Sequence, residues 1–128
     1  MTNDTLTTDS VLGLAEAMTN MDGDIELLRE IIDIFAETAP PQFESIQQCI
    51  ASGDVKSVAI QAHALKGGAS NFCARKFVAS ALNLELLAKG DSLEGATAML
   101  DEMRTDFAEV AEVLGVINWD EVERGWQG

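Results

Sequence analysis

The chain has 128 residues, a length that suits one domain, and 47% of them are hydrophobic, enough to bury a core. Eight basic against 22 acidic residues leave a formal net charge of −14, which disfavours nucleic acid and anionic membrane surfaces as partners. No apolar run approaches the ~20 residues of a bilayer span. Residues 1–10 lack the basic and apolar regions of a secretory leader. Cys49 and Cys73 form neither a disulfide framework nor a zinc set, and both read as small buried thiols in helical patterns. A cytosolic protein is expected.

Alanine, leucine, glutamate and methionine are plentiful and tyrosine is absent, a composition that favours helix. Residues 1–9 read as a flexible end. Ser10 is placed to cap a short helix carrying Val11, Leu14, Ala15 and Met18, and Asn20 to Asp24 read as a turn. Asp24 caps the next helix, where Ile25, Leu28, Ile31, Ile32 and Phe35 recur at spacings of three and four. Pro40 and Pro41 predict a kink or brief break. The pattern resumes at Phe43, Ile46, Cys49 and Ile50, so the two pieces can be one bent rod.

Asp54 caps a helix whose seam is Val55, Val58, Ala62, Leu65, Ala69 and Phe72. The next helix carries Phe77, Ala81, Leu84 and Ala88 and ends at Lys89-Gly90. Asp91 with Glu94 predicts a capping box for a further helix bearing Leu93, Ala96, Leu100, Met103, Phe107, Val110 and Leu114. Asn118 and Glu121 cap a last short helix with Trp119, Val122 and Trp126, tryptophans that would cover a core edge or form a self-association surface. No segment has strand periodicity. The expected fold is all-α: an antiparallel four-helix bundle over residues 10–116, with short extra helices at both ends and a tail at 117–128.

His63 is the only histidine. At about 100° per residue it points roughly 130° away from the seam of its helix, so it stands on the outer side. Ala59 and Gly67 lie one turn before and after it, Ser70 lies near the same line, and Ile60 and Ala64 flank it. Gly67 and Gly68 each cost ~1 kcal/mol relative to alanine inside a helix, a cost accepted where something must approach the backbone closely. Lys66, three residues on, is a surface neighbour of the histidine and a point charge suited to phosphate oxygens. These features describe a docking face around a reactive group. Taken singly, each has a plainer reading: a surface histidine, a helix end at Gly-Gly, an isoleucine packed on a neighbour.

The segment from Ala62 to Cys73, AHALKGGASNFC, resembles the signature of histidine-containing phosphotransfer (HPt) domains, with His63, Leu65, Lys66 and Gly67 matching in order and spacing. The similarity extends from about Asp24 to Leu114 and includes Leu84-Glu85. Cys73 stands where the family usually has glycine, and Ala64 and Gly68 where hydroxyl residues are common, which leaves loop shape and partner choice open. The resemblance implies a phosphoryl carrier without kinase machinery of its own. His63 would accept the group through Nε2 from a receiver-domain aspartate and pass it to another receiver. Lys66 would contact the phosphate, and Glu85 would lie near the imidazole. Ala59, Ile60, Ala64, Gly67, Gly68 and Ser70 would form the docking surface. The expected partners are receiver domains of a hybrid sensor kinase and a response regulator. No cofactor or metal is expected in the chain, Mg2+ residing on the partner receiver, and the protein is expected to be a monomer. A helical adaptor that binds signalling partners without phosphorylation is the alternative. A metal-dependent helical enzyme is poorly supported, because one imidazole without Glu-x-x-His pairs makes no bundle carboxylate site.

Overall fold

Short polar side chains that bond the N–H three residues ahead set several of the helix starts. The carboxylates of Asp24 and Asp54 accept from Leu27 and Ser57, and the Asn118 side chain accepts from Glu121. In the computed structural model, which describes residues 12–126, the helices are α1 (Leu14–Asn20), α2 (Ile25–Ser52), α3 (Val55–Ser70), α4 (Arg75–Lys89), α5 (Ala96–Leu114) and α6 (Trp119–Gly125). No strand occurs among the described residues. The long helices α2–α5 form the expected bundle: α3 packs most extensively on α4, α4 on α5, and α2 closes the ring against α3 and α5.

The core is built on phenylalanine. Phe35 sits edge-on to Phe72 and Phe77, with centroids 5.2 and 5.3 Å apart, and Phe43 and Phe107 extend the cluster. Such pairs add roughly 0.5–1.5 kcal/mol each beyond area burial. A buried polar pair, the Ser80 hydroxyl donating to the Asp106 carboxylate, ties α4 to α5.

Four expectations need correction. Helix α2 is one rod through Pro40 and Pro41, without the brief break. Both prolines are exposed, and Ala39 and Phe43 are buried on either side of them, so core packing carries the rod across the two missing donors. The Asp91–Glu94 capping box does not form. Asp91 and Gly95 both take positive φ, the Ser92 hydroxyl accepts from the Glu94 N–H, and α5 starts only at Ala96, leaving Leu93 ahead of the helix. Cys73 lies in the α3–α4 turn rather than in a helix, at φ 57°, a left-handed conformation that glycine adopts more readily. The first helix starts at Leu14, with Gly13 as its N-cap and no side-chain cap. Ser10 and Val11 fall outside the described residues.

The two short helices cover the same end of the bundle, where α2 starts, α3 turns into α4 and α5 ends. The Gly13 N–H donates to the Cys73 carbonyl at 3.0 Å, and Arg75 pairs with Glu16, fixing α1 over the α3–α4 turn. Burial pushes the Cys73 thiol above its ordinary pKa, and the neighbouring Glu16 carboxylate adds to the effect. At the same end, Arg29 lies over the Trp119 ring at 5.3 Å. Trp126 covers Gly23, whose positive φ and lack of a side chain make room for the indole. The tryptophans therefore cover a core edge.

Candidate functional site

Helix α3 presents His63 because its buried stripe (Val58, Ala62, Leu65, Ala69) fixes the rotation of the helix. The imidazole is 65% exposed. Its Nδ1 lies 2.8 Å from Glu85 Oε2, a side chain supplied by the adjacent helix α4. Glu85 is only 1% exposed, yet three groups converge on it. Besides the imidazole, Lys66 Nζ reaches Oε1 at 2.8 Å, and Lys89 Nζ, one turn along α4, reaches Oε2 at 2.9 Å.

The Lys66 ammonium, then that of Lys89, holds the Glu85 carboxyl at about 2 despite the opposing effect of burial, and His63 adds to this. Glu85 is therefore an anion at neutral pH and can only accept hydrogen bonds. The facing Nδ1 must then carry a proton, and in the neutral ring Nε2 keeps its lone pair on the exposed side. A buried carboxylate thus sets the tautomer of an exposed imidazole. A shallow depression of about 240 Å³ beside the ring is lined by Ala59, Ile60, His63, Glu85 and Lys89. Among the described residues, no three His, Cys, Asp or Glu side chains come together as metal ligands.

The structure sorts the expected docking residues. Ile60, Ala64, Gly67 and Ser70 are exposed around His63, and the Ser70 hydroxyl bonds back to the Lys66 carbonyl at 2.8 Å. A Cβ on Gly67 would meet nothing within 4 Å. Two residues leave the set. Ala59 is buried and shows only an edge in the depression. Gly68 turns inward, where a Cβ would lie 3.2 Å from Phe35 Cδ1, so its close neighbour is α2 of the same chain. Lys66 is drawn down onto Glu85 and keeps 24% exposure. Lys89 was not singled out by sequence. The available signal was its i,i+4 spacing from Glu85, which by itself marks an ordinary surface ion pair.

Comparison with known proteins agrees with this geometry. Among curated proteins no sequence matches the chain. Among solved structures, histidine-containing phosphotransfer protein B (HptB) from Pseudomonas aeruginosa PAO1 is similar with a TM-score of 0.68 and 23% identity. That similarity covers 89% of this chain and 92% of the other, and it shows the fold. The family model described as Hpt domain matches residues 30–113, which include His63, Lys66, Gly67, Glu85 and Lys89. That match spans well over half of the chain, and on it the chain belongs to the Hpt domain family.

Proposed function

We propose that this chain carries phosphoryl groups between receiver domains of a multistep phosphorelay, with His63 as the carrier residue. The observation that carries the reading is the 2.8 Å contact between His63 Nδ1 and Glu85, which leaves Nε2 as the outward nucleophile. The Nε2 lone pair attacks the phosphorus of a receiver aspartyl phosphate. The P–N bond forms as the P–O bond to the aspartate breaks, and the aspartate leaves as a carboxylate with the electron pair. The imidazole keeps its Nδ1 proton throughout, and the positive charge it gains is met by Glu85. Onward transfer reverses these changes at a second receiver, the electron pair of the P–N bond returning to Nε2. No proton has to move in either direction.

In this reading the receivers supply Mg2+ and most of the catalysis, and this chain supplies the nucleophile and cations for the equatorial oxygens. The partners are the receiver domains of a hybrid sensor kinase and of a response regulator. Lys66 Nζ sits on the same carboxylate as the ring, and its flexible stem would let it turn to a phosphoryl group there. Lys66→Ala is expected to slow transfer about tenfold, less than the roughly 10²-fold loss of a preorganised oxyanion donor because this cation is flexible and partly solvated. The helix content should stay unchanged by circular dichroism. An unchanged transfer rate removes Lys66 from the site.

Gly67 gives a sharper separation of stability from function. Its Cβ position is open, so Gly67→Ala should stabilise α3 by up to ~1 kcal/mol and raise Tm by about 4 °C. The same change places a methyl where a receiver backbone would lie, and transfer should slow. A thermal melt and a transfer assay on one sample check both halves, and a variant that melts higher and transfers at the normal rate rules out close approach at Gly67. The function itself is tested by mixing the protein with phosphorylated receiver domains of its own genome. Uptake of an acid-labile, base-stable phosphoryl group is expected, and no uptake from any receiver would overturn the reading.

A further inference from the structure

The chain has two tryptophans and no tyrosine, and both tryptophans belong to α6 and its C-cap. A helix of seven residues is too short to hold its shape alone in water, so α6 depends on what it touches. None of its residues is fully buried, whereas α2, α3, α4 and α5 each bury five or six side chains. Its two indoles seat on one stretch of chain, the α1–α2 turn and the first residues of α2. Trp126 lies against Gly23, and Trp119 lies under the Arg29 guanidinium. The seat is shaped for the indole: Gly23 takes φ 80°, and a Cβ there would come within 2.5 Å of the Trp126 ring.

Charge works against this seating. Residues 22–30 hold the carboxylates of Asp22, Asp24, Glu26 and Glu30 against the single base Arg29. Residues 118–126 hold Asp120, Glu121 and Glu123 against Arg124. Closing α6 therefore lays a surplus of two negative charges on a surplus of three. Among the described residues no ion pair joins the two segments, and Arg29 is directed at the Trp119 ring instead. Aromatic burial and the cation–π contact close the helix, and like charge opens it. The seat does not need α6 to stay in place. Helix α1 is tied separately to the α3–α4 turn, through the Gly13 N–H on the Cys73 carbonyl and Glu16 on Arg75.

We infer that α6 is a salt-sensitive clasp: it lifts off the α1–α2 turn while α2 to α5 stay folded, and it closes as salt screens the charge between clasp and seat. Elements that open locally are those with few buried apolar contacts, and α6 has the fewest of any long-range partner of α2. Repulsion reaches across the contact at low ionic strength, where the Debye length is ~30 Å at about 0.01 M, and is cut to ~3 Å at about 1 M. Opening uncovers the α1–α2 turn, so ionic conditions govern access to this end of the bundle. The clasp is independent of the phosphocarrier reading, because neither segment contains a residue of the His63 site.

Both indoles sit on the clasp, so tryptophan emission reports its closure while far-ultraviolet circular dichroism reports the bundle. Urea titrations of the native chain at about 0.01 M and about 1 M sodium chloride compare the two signals. At low salt the emission midpoint should precede the dichroism midpoint, and the gap should narrow about twofold at high salt. Trp126→Ala should raise the open fraction about tenfold, seen as red-shifted Trp119 emission without urea, and leave the dichroism midpoint nearly unchanged. Glu123→Lys, in the last turn where a cation suits the helix dipole, should narrow the low-salt gap and weaken its salt dependence. Coincident midpoints at low salt, or a gap that salt leaves unchanged or widens, would overturn the clasp. So would a Trp126→Ala chain that fails to fold or whose dichroism midpoint falls with its emission, since α6 would then be part of the cooperative bundle. A Glu123→Lys gap with the native salt dependence would remove charge as the force that opens it.

Discussion

Replacing His63 with glutamine is expected to leave a folded bundle that accepts no phosphoryl group from any receiver domain. The imidazole is largely in solvent, and its one hydrogen-bond partner among the described residues is the Glu85 carboxylate, so the stability change should stay within about 0.5 kcal/mol. Glutamine can still donate an amide hydrogen to Glu85 and so satisfies the buried acceptor. It has no basic nitrogen, however, and therefore no nucleophile. Thermal melting alongside receiver-transfer assays measures both effects. Residual transfer to the variant would place the acceptor elsewhere, and a fully retained cellular output would favour an adaptor that needs the surface but not the ring.

Glu85→Ala is expected to damage both stability and transfer. The carboxylate is buried among two ammonium groups and the imidazole, and its loss leaves those charges without a counter-ion. Removing one member of a fully buried pair costs about 3–5 kcal/mol. Lys89 is 60% exposed and both lysines have long flexible stems, so part of that cost is relieved by turning to water, and about 2 kcal/mol is expected. The ring also loses the acceptor that fixes its tautomer, and transfer should fall on the order of ten- to a hundredfold, as when a buried partner that orients a functional histidine is removed.

Glu85 also has a pH signature. Its carboxyl is held at about 2 against an ordinary value of 4.5, so the folded state binds this proton less readily than the unfolded chain. The stabilisation is therefore complete above pH 4.5 and is lost as pH falls toward 2. Its ceiling is about 3 kcal/mol, from the displacement of the carboxyl converted at 1.36 kcal/mol per pH unit. Glu85→Gln should be less stable than the native chain at neutral pH and should lose less stability between pH 4.5 and 2. Denaturant melts at those pH values check this, and parallel acid dependence in the two proteins would contradict it.

Features decided within one turn of chain were legible in the sequence. Asp24, Asp54 and Asn118 cap helices because each side chain meets an N–H three residues ahead, a relation that needs no tertiary contact. The exposure of His63 followed from helical periodicity. What escaped the sequence depended on a second helix. Gly68 faces Phe35 on α2, and Lys89 meets Lys66 and His63 only because α3 and α4 lie side by side on Glu85. The pairing of Glu85 with His63 came from the family resemblance, and the distance between them is a tertiary fact. The failed capping box was a local competition in which Gly95 at positive φ and the Ser92 hydroxyl displaced Asp91 and Glu94. The prolines failed to break α2 because residues buried on both sides of them carry the helix through.

The most direct test of the central claim is to identify the phosphorylated atom. The protein, labelled with nitrogen-15 in its histidine and phosphorylated by a receiver domain, should show one modified imidazole in nitrogen–proton correlation spectra. Phosphate should be on Nε2 of His63, and the Nδ1 proton should be retained and protected from exchange by Glu85. Phosphate on Nδ1, or on a residue other than His63, would contradict an account in which the buried carboxylate chooses the nitrogen that receives the group.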